Sequence, residues 1–255
     1  VAAAAKRDSD TKVELVTEPK SSAVMLAKLP RGPRVYVSGQ AEKGASLAEA
    51  TAKTMQSLGT TLTHLGCEKR DVVQVKSFLT PMSDVAAAEK AIAEFFAPQP
   101  APPCVFVEWQ STLPIEIELI AAARTKPESK ASLEFITPPG MTSSPVFCRV
   151  VRVNDPRTIF VSGLFAKDAT DGTGQVTQVF EQLQGILEAS GSDLRHLVKG
   201  TYYVSDNDVS TRFTELRPKF YDPVRPPAAS KAQVFGVGQS RRTLTLDMIA
   251  VPTTR

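Results

Sequence analysis

The chain has 255 residues, 42% of them apolar and 22% charged, with a formal net charge of +3. That composition fits a globular protein with material for one large core or two ordinary ones. So small a net charge gives no strong argument for nucleic acid, whose binders carry a dense basic patch, and no apolar run approaches the roughly 20 residues that span a bilayer. Cys67, Cys104 and Cys148 are widely spaced and odd in number, with no CxxC pair or metal-ligand spacing. They read as free thiols of a reducing, cytoplasmic compartment. No cofactor or metal is expected.

The Ala-rich start, Val1 to Asp8, is too short for a signal peptide. It reads as a processed or added end, or as a frayed start, and residues to about 12 are expected to be loosely held. Strands are predicted over 13–17 and 23–29, then a turn at Pro30-Arg31-Gly32-Pro33. The buried strand Val35-Tyr36-Val37-Ser38-Gly39-Gln40 follows. Leu47, Met55, Leu58, Leu62 and Leu65 share one face of a helix over 46–65, with Ser46 as N-cap and Gly66 as stop. A strand over 72–79, a helix over 84–96, a Pro-rich loop over 98–103, and strands over 104–109 and 113–123 complete the first half.

Residues 125–132 are polar and contain Pro127, and the order then restarts. Ile159-Phe160-Val161-Ser162-Gly163 repeats the key strand, Ser162 lying 124 residues after Ser38. Strands over 133–136, 146–153 and 157–162 precede it or contain it. A helical stripe runs from Val176 to Leu187 and ends at Ser190-Gly191. Strands over 196–204, 231–237 and 243–251 follow, with a helix over 209–221 that Pro218 must shorten or bend. Gly172-Thr173-Gly174 reads as a flexible turn, too short for a phosphate loop. The division is lobe 1 over 10–125, a linker over 126–131 and lobe 2 over 132–255. Each lobe is expected to be α+β: a mixed sheet with two helices on one face. Arg149, Arg152 and Arg157 read as a solvated face. His64 and His196 occupy unmatched positions and read as surface or capping residues.

The order of these motifs resembles the YjgF/RidA family, also called L-PSP endoribonuclease-like. The match runs through Val35 to Gln40, Gly66, Asp71-Val72-Val73, Met82-Ser83-Asp84, Glu94-Phe95-Phe96, the loop to Cys104, and Ile115 to Ala121. In the second half it runs through Val161-Ser162-Gly163, Leu197-Val198-Lys199, Phe220-Tyr221, Pro226 to Ser230, and Leu244 to Val251. The resemblance implies chorismate-mutase-like lobes that close in threes, with ligand clefts between lobes. Three two-lobe chains would supply two rings, hence a homotrimer. It also implies hydrolysis of small enamines or imines with release of ammonia.

Carried over by position, the resemblance makes Glu116 the catalytic carboxylate and Ser38, Cys104 and Ser162 ligand-binding residues. The arginine that would grip a substrate carboxylate falls on Pro102 in one half and on Ala229 in the other. In the second half Lys231 replaces the cysteine and Thr245 the glutamate; Glu89 replaces an asparagine. Lys76 or Lys231 could stand in for the lost arginine. Glu118 and Asp247 occupy matching positions and are read as structural, pointing away from Glu116. Two functions stay open: a divergent imine or enamine deaminase acting on a small metabolite, and an inactive metabolite-binding or scaffolding lobe pair. A third, ribonuclease, rests on the family's name alone, and nucleic acid is an unlikely partner for this charge pattern.

Overall fold

The computed structural model describes residues 12–17, 24–124, 131–142 and 144–253. The expected N-terminal tail to residue 11 lies outside them, as does the expected linker apart from Ala131. The first round comprises β1 (Glu14–Thr17), β2 (Val24–Lys28), β3 (Arg34–Gln40), α1 (Leu47–His64), β4 (Val72–Leu79), α2 (Val85–Phe96), β5 (Cys104–Glu108) and β6 (Ile115–Ala122). The second comprises β7 (Leu133–Ile136), β8 (Val150–Val153), β9 (Ile159–Ser162), α3 (Gly172–Ala189), β10 (Leu197–Val204), α4 (Asn207–Leu216), β11 (Ala228–Gln233) and β12 (Leu244–Ala250).

The helices start and stop where local chemistry directs. Ser46 Oγ accepts from Glu49 N at 3.2 Å, while Glu49 Oε2 accepts from Ala45 N at 2.7 Å, satisfying otherwise orphaned amides. Gly66 and Gly191 take φ of +70° and +71°. Each lets the chain turn back, so that Cys67 N meets Leu62 O and Ser192 N meets Leu187 O. Pro218 ends α4 in a 3-10 turn over Arg217–Lys219, as its missing N–H requires. The Gly172-Thr173-Gly174 stretch is the first turn of α3, not a flexible turn. Asp171 Oδ1 caps Gly174 N at 2.9 Å, and a Cβ on Gly172 would lie 2.5 Å from Asp208 Oδ2, so close helix packing requires the glycine.

Both sheets are mixed. Their strand orders are β5-β4-β6-β3-β8-β7 and β11-β10-β12-β9, with β4–β5 and β10–β11 parallel and the other pairs antiparallel. Alternation sorts the side chains. Val35, Val37, Val75 and Leu119 face α1 and α2 in one core; Val179, Phe180, Leu183 and Leu246 build the matching core under α3 and α4. The opposite sheet faces meet each other. Tyr36, Val151, Val198, Ala228 and Ile249 form a third core between the lobes, and Phe78, Trp109, Ala232 and Val234 a fourth.

One pairing crosses the sequence boundary at residue 132. β7 and β8 open the second repeat, yet β8 pairs with β3 of the first, Tyr36 opposite Val151. Burial explains the choice: Leu133, Val151 and Val153 close over Tyr36. Arg152, only 1% exposed, donates to Leu65 O at the C-terminal end of α1 and to Arg124 O, both at 3.0 Å. Arg152 is therefore a buried capping residue rather than part of a solvated face. Among the described residues, β1 and β2 pair as strands only with each other, and β9 has one strand neighbour, β12.

Candidate active site between the lobes

β6 supplies the chemistry through its two-residue period. Ile115, Ile117 and Leu119 enter the helix-side core, so Glu116 and Glu118 both face lobe 2. Glu118 thus shares the face of Glu116, which corrects the expectation that it points away. β3 brings Ser38 and Gly39 alongside. A Cβ on Gly39 would lie 1.9 Å from Glu116 Oε1, so this carboxylate rests directly on the glycine backbone. Ser38 is 1% exposed; its amide donates to Arg149 O at 2.9 Å, and its hydroxyl has no partner among the described residues.

Lobe 2 closes the cleft with Ser230 of β11. Its hydroxyl accepts from Gly39 N at 3.0 Å and lies where it favours the ionised forms of both Glu116 and Glu118. Deeper in the interface, Lys199 Nζ lies 2.5 Å and Lys76 Nζ 3.4 Å from Glu118, while Thr201 Oγ1 donates to Glu118 at 3.1 Å. Lys76 also meets Asp247 at 3.4 Å, and Tyr203 donates to the same carboxylate at 3.1 Å. Lys76, Glu118, Lys199, Thr201 and Asp247 line a cavity of about 60 Å³.

The two neighbouring glutamates are driven apart electrostatically. Burial pushes Glu116 up to about 7, helped by the Glu118 charge, against the Ser230 hydroxyl and the charges of Lys199 and Arg149. Burial acts on Glu118 in the same sense, but Lys199 and Lys76 outweigh it and hold Glu118 below the usual carboxylate range. One permanent anion therefore sits beside one carboxyl that exchanges its proton near neutrality, the condition for acid–base work. Arg149 is half-buried at this edge, its Nε donating to Thr142 O at 3.1 Å and its guanidinium 5.0 Å from the Phe147 ring. It was grouped with surface arginines in the sequence; pairing of β8 on β3 carries it into the cleft.

Among the described side chains, Cys104 does not join this group. Cys104 packs on the helix side of lobe 1, its Sγ 3.2 Å from Pro102 O, and burial pushes its thiol up to about 11. Register explains this placement, since Cys104 lies opposite Val75, a helix-side residue, and β5 is two strands from β6. Ser162 pairs through its backbone opposite Asp247; its side chain lies outside the described residues. Thr245 donates to Leu164 O at 3.0 Å. Lys231 turns to Ser210 and Thr214 of α4, and Lys76 is held by Glu118 and Asp247, so neither replaces the arginine. Ala229 lies in the helix-side core of lobe 2. His196 Nδ1 lies 2.7 Å from Asp193 Oδ1 in a capping role. Sequence reasoning missed Ser230, Lys199 and Arg149. For Ser230 a signal existed: alternation along β11 places it on the face opposite Ala229 and Lys231.

Comparison with known proteins gives these residues a context. The Endoribonuclease L-PSP family profile matches residues 15–123 and again 142–251. Protein DfrA of Myxococcus xanthus is 28% identical over 112 residues, covering 41% of this chain and 84% of DfrA. Among solved structures, the YjgF-family protein NMB1025 of Neisseria meningitidis is 18% identical with a TM-score of 0.37, covering 48% of this chain and 97% of its own. The Rid-family protein YyfB of Yersinia pestis is 18% identical with a TM-score of 0.40, covering 44% and 98%. The two successive profile matches take in most of the chain, and the helix-backed mixed sheet occurs twice in the same order. The protein therefore belongs to the Endoribonuclease L-PSP family, as a tandem of two chorismate-mutase-like YjgF/RidA lobes.

Proposed function

We propose that the chain hydrolyses a small imine or enamine to a carbonyl compound and ammonia, in a single cleft where lobe 1 meets lobe 2. The observation that carries this reading is the Glu116 carboxyl, raised to about 7 beside an ionised Glu118. Neutral Glu116 donates its proton to the imine nitrogen, or to the enamine carbon, making an iminium ion. The resulting carboxylate takes a proton from water as its oxygen bonds to the iminium carbon. The same proton returns to nitrogen; the C–N bond then breaks as the carbinolamine hydroxyl gives its proton to the Glu116 carboxylate, so a neutral carbonyl compound and ammonia leave and the acid is restored. Ser38 Oγ and Ser230 Oγ are the polar contacts for substrate or water, and Arg149 is the cation available to a substrate carboxylate.

The test is ammonia release from an imine generated in place by an amino-acid oxidase, with wild type against Glu116→Gln. A wild-type acceleration that Glu116→Gln abolishes is expected; equal rates for both proteins would refute the assignment. The second reading, a binding lobe pair without turnover, is favoured by Ala229 standing at the arginine's position. It predicts thermal stabilisation by a metabolite with no ammonia released. For the whole protein we propose a homotrimer in a reducing, cytoplasmic setting, the latter supported by three free thiols. Among the described residues no helix is long and apolar enough to cross a membrane.

A further inference from the structure

The duplication makes a prediction about the first hairpin that the fold of one chain does not fulfil. Ser38 and Ser162 mark equivalent strands, and the same 124-residue offset relates β2 to β8, matching Leu26 with Val150, Ala27 with Val151 and Lys28 with Arg152. The two hairpins also agree in their cross-strand charges, Glu14 opposite Lys28 and Glu134 opposite Arg152. In lobe 1, β8 completes the sheet by pairing along β3. In lobe 2 the equivalent edge of β9 carries no strand among the described residues.

The consequence is visible in burial. Tyr36 of β3 is 2% exposed beneath β7 and β8, whereas its counterpart Phe160 of β9 is 73% exposed. The unused hairpin carries apolar side chains of its own in solvent: Val16 is 37% exposed, Leu26 47%, and Leu29, just beyond β2, 38%. β2 cannot take the place on β3, because β8 holds it, and it lies beside β4 of its own lobe rather than beside β9. An open strand edge and a spare hairpin with exposed apolar residues are complementary surfaces.

We propose that the β1–β2 hairpin of one copy of this chain docks on β9 of a second copy and completes its lobe 2 sheet. The register follows from lobe 1, where Val37 faces Val150, Tyr36 faces Val151 and Val35 faces Arg152. Transferred by the repeat, Leu26 lies opposite Val161, Ala27 opposite Phe160 and Lys28 opposite Ile159. Phe160 is then covered as Tyr36 is. The contact joins two different surfaces, so it closes by reciprocal exchange in a pair or head-to-tail in a ring.

Directly opposed residues of antiparallel strands have Cβ atoms about 5 Å apart, within reach of a disulfide. Two chains, one carrying Ala27→Cys and the other Phe160→Cys, are mixed, denatured and refolded together, and oxidised; wild type controls for Cys104. A covalent heterodimer is expected. If instead the doubly substituted chain bonds only within itself, or neither arrangement bonds, the proposal fails. Wild-type protein gives a second measurement that needs no substitution. Hydrogen exchange at the amides of Phe160 and Ser162 should slow as protein concentration rises; a rate independent of concentration at both would overturn the proposal.

Discussion

Replacing Glu116 by Gln should stabilise the protein at alkaline pH while removing its activity, and the pH dependence is the test. Glu116 ionises near 7 in the fold against an ordinary 4.5. Below pH 4.5 the carboxyl is protonated whether the chain is folded or not, so it adds no pH dependence. Between 4.5 and 7 the unfolded chain loses this proton while the folded chain keeps it, so stability falls as pH rises. Above 7 the loss is complete. Each pH unit of that interval is worth about 1.4 kcal/mol, giving roughly 3 kcal/mol in all, of which about 2.5 kcal/mol lies between pH 5 and pH 8.5. Glutamine keeps the shape but carries no charge to desolvate. Urea unfolding of both proteins at pH 5 and 8.5 isolates the effect, because every other titrating group cancels in the difference. Glu116→Gln should gain about 2.5 kcal/mol relative to wild type on going from pH 5 to 8.5. A difference that stays constant within about 0.5 kcal/mol would refute the burial argument and the acid–base role built on it.

Gly39→Ala should place a methyl 1.9 Å from the present position of Glu116 Oε1 and displace the carboxylate. A shift of about 1 Å at a reacting group is worth on the order of 100-fold in rate, read as kcat/KM for ammonia release. Glu118→Ala should destabilise by about 3–5 kcal/mol in denaturant unfolding, because Lys199 is left buried without its anion while Lys76 keeps only Asp247. Ser230→Ala removes a hydroxyl that favours the ionised form of Glu116. The loss of kcat/KM on the alkaline side of the pH profile should therefore move up, and a move down would show that Ser230 serves the neutral acid instead.

Much of the frame was legible because its punctuation is local. β4 spans Val72–Leu79 and β7 spans Leu133–Ile136, as alternation and flanking turns indicate. Leu65-Gly66 and Ser190-Gly191 mark the ends of α1 and α3. The start of α3 was not legible, since two glycines in three residues argue against a helix until Asp208 and Val209 are seen pressing on Gly172. Nor was the exchange of β8 onto β3 legible: both hairpins carry the same pattern, and only burial of Tyr36 shows which one is seated. Ser38 and Glu116 were readable because one short strand motif holds each. Ser230 and Arg149 reach the cleft through contacts between repeats, which spacing does not encode. The common face of Glu116 and Glu118 was readable from the two-residue period alone. Cys104 shows the opposite limit: a motif position gave it a role, and the register with Val75 turns it to the helix side.

Duplication has preserved different things at the two carboxylate positions of the last strand. Asp247 keeps the charge of Glu118, and the two anions share Lys76 across the interface, with Lys199 on Glu118 and Tyr203 on Asp247. An ion network so enclosed contributes little net stability, but any slip of one lobe along the other would strand a charge away from water. The network is therefore best understood as fixing lobe register, a role that requires an anion from both lobes. The position of Glu116 is under no such demand. In lobe 2 it is Thr245, whose hydroxyl serves Leu164 O. Among the described residues, the carboxyl raised to about 7, Glu116, stands beside a serine of the other lobe, Ser230, whose hydroxyl accepts from Gly39 N. The asymmetry follows from geometry: the register of the lobes depends on both repeats, while the chemistry we propose for Glu116 depends on one.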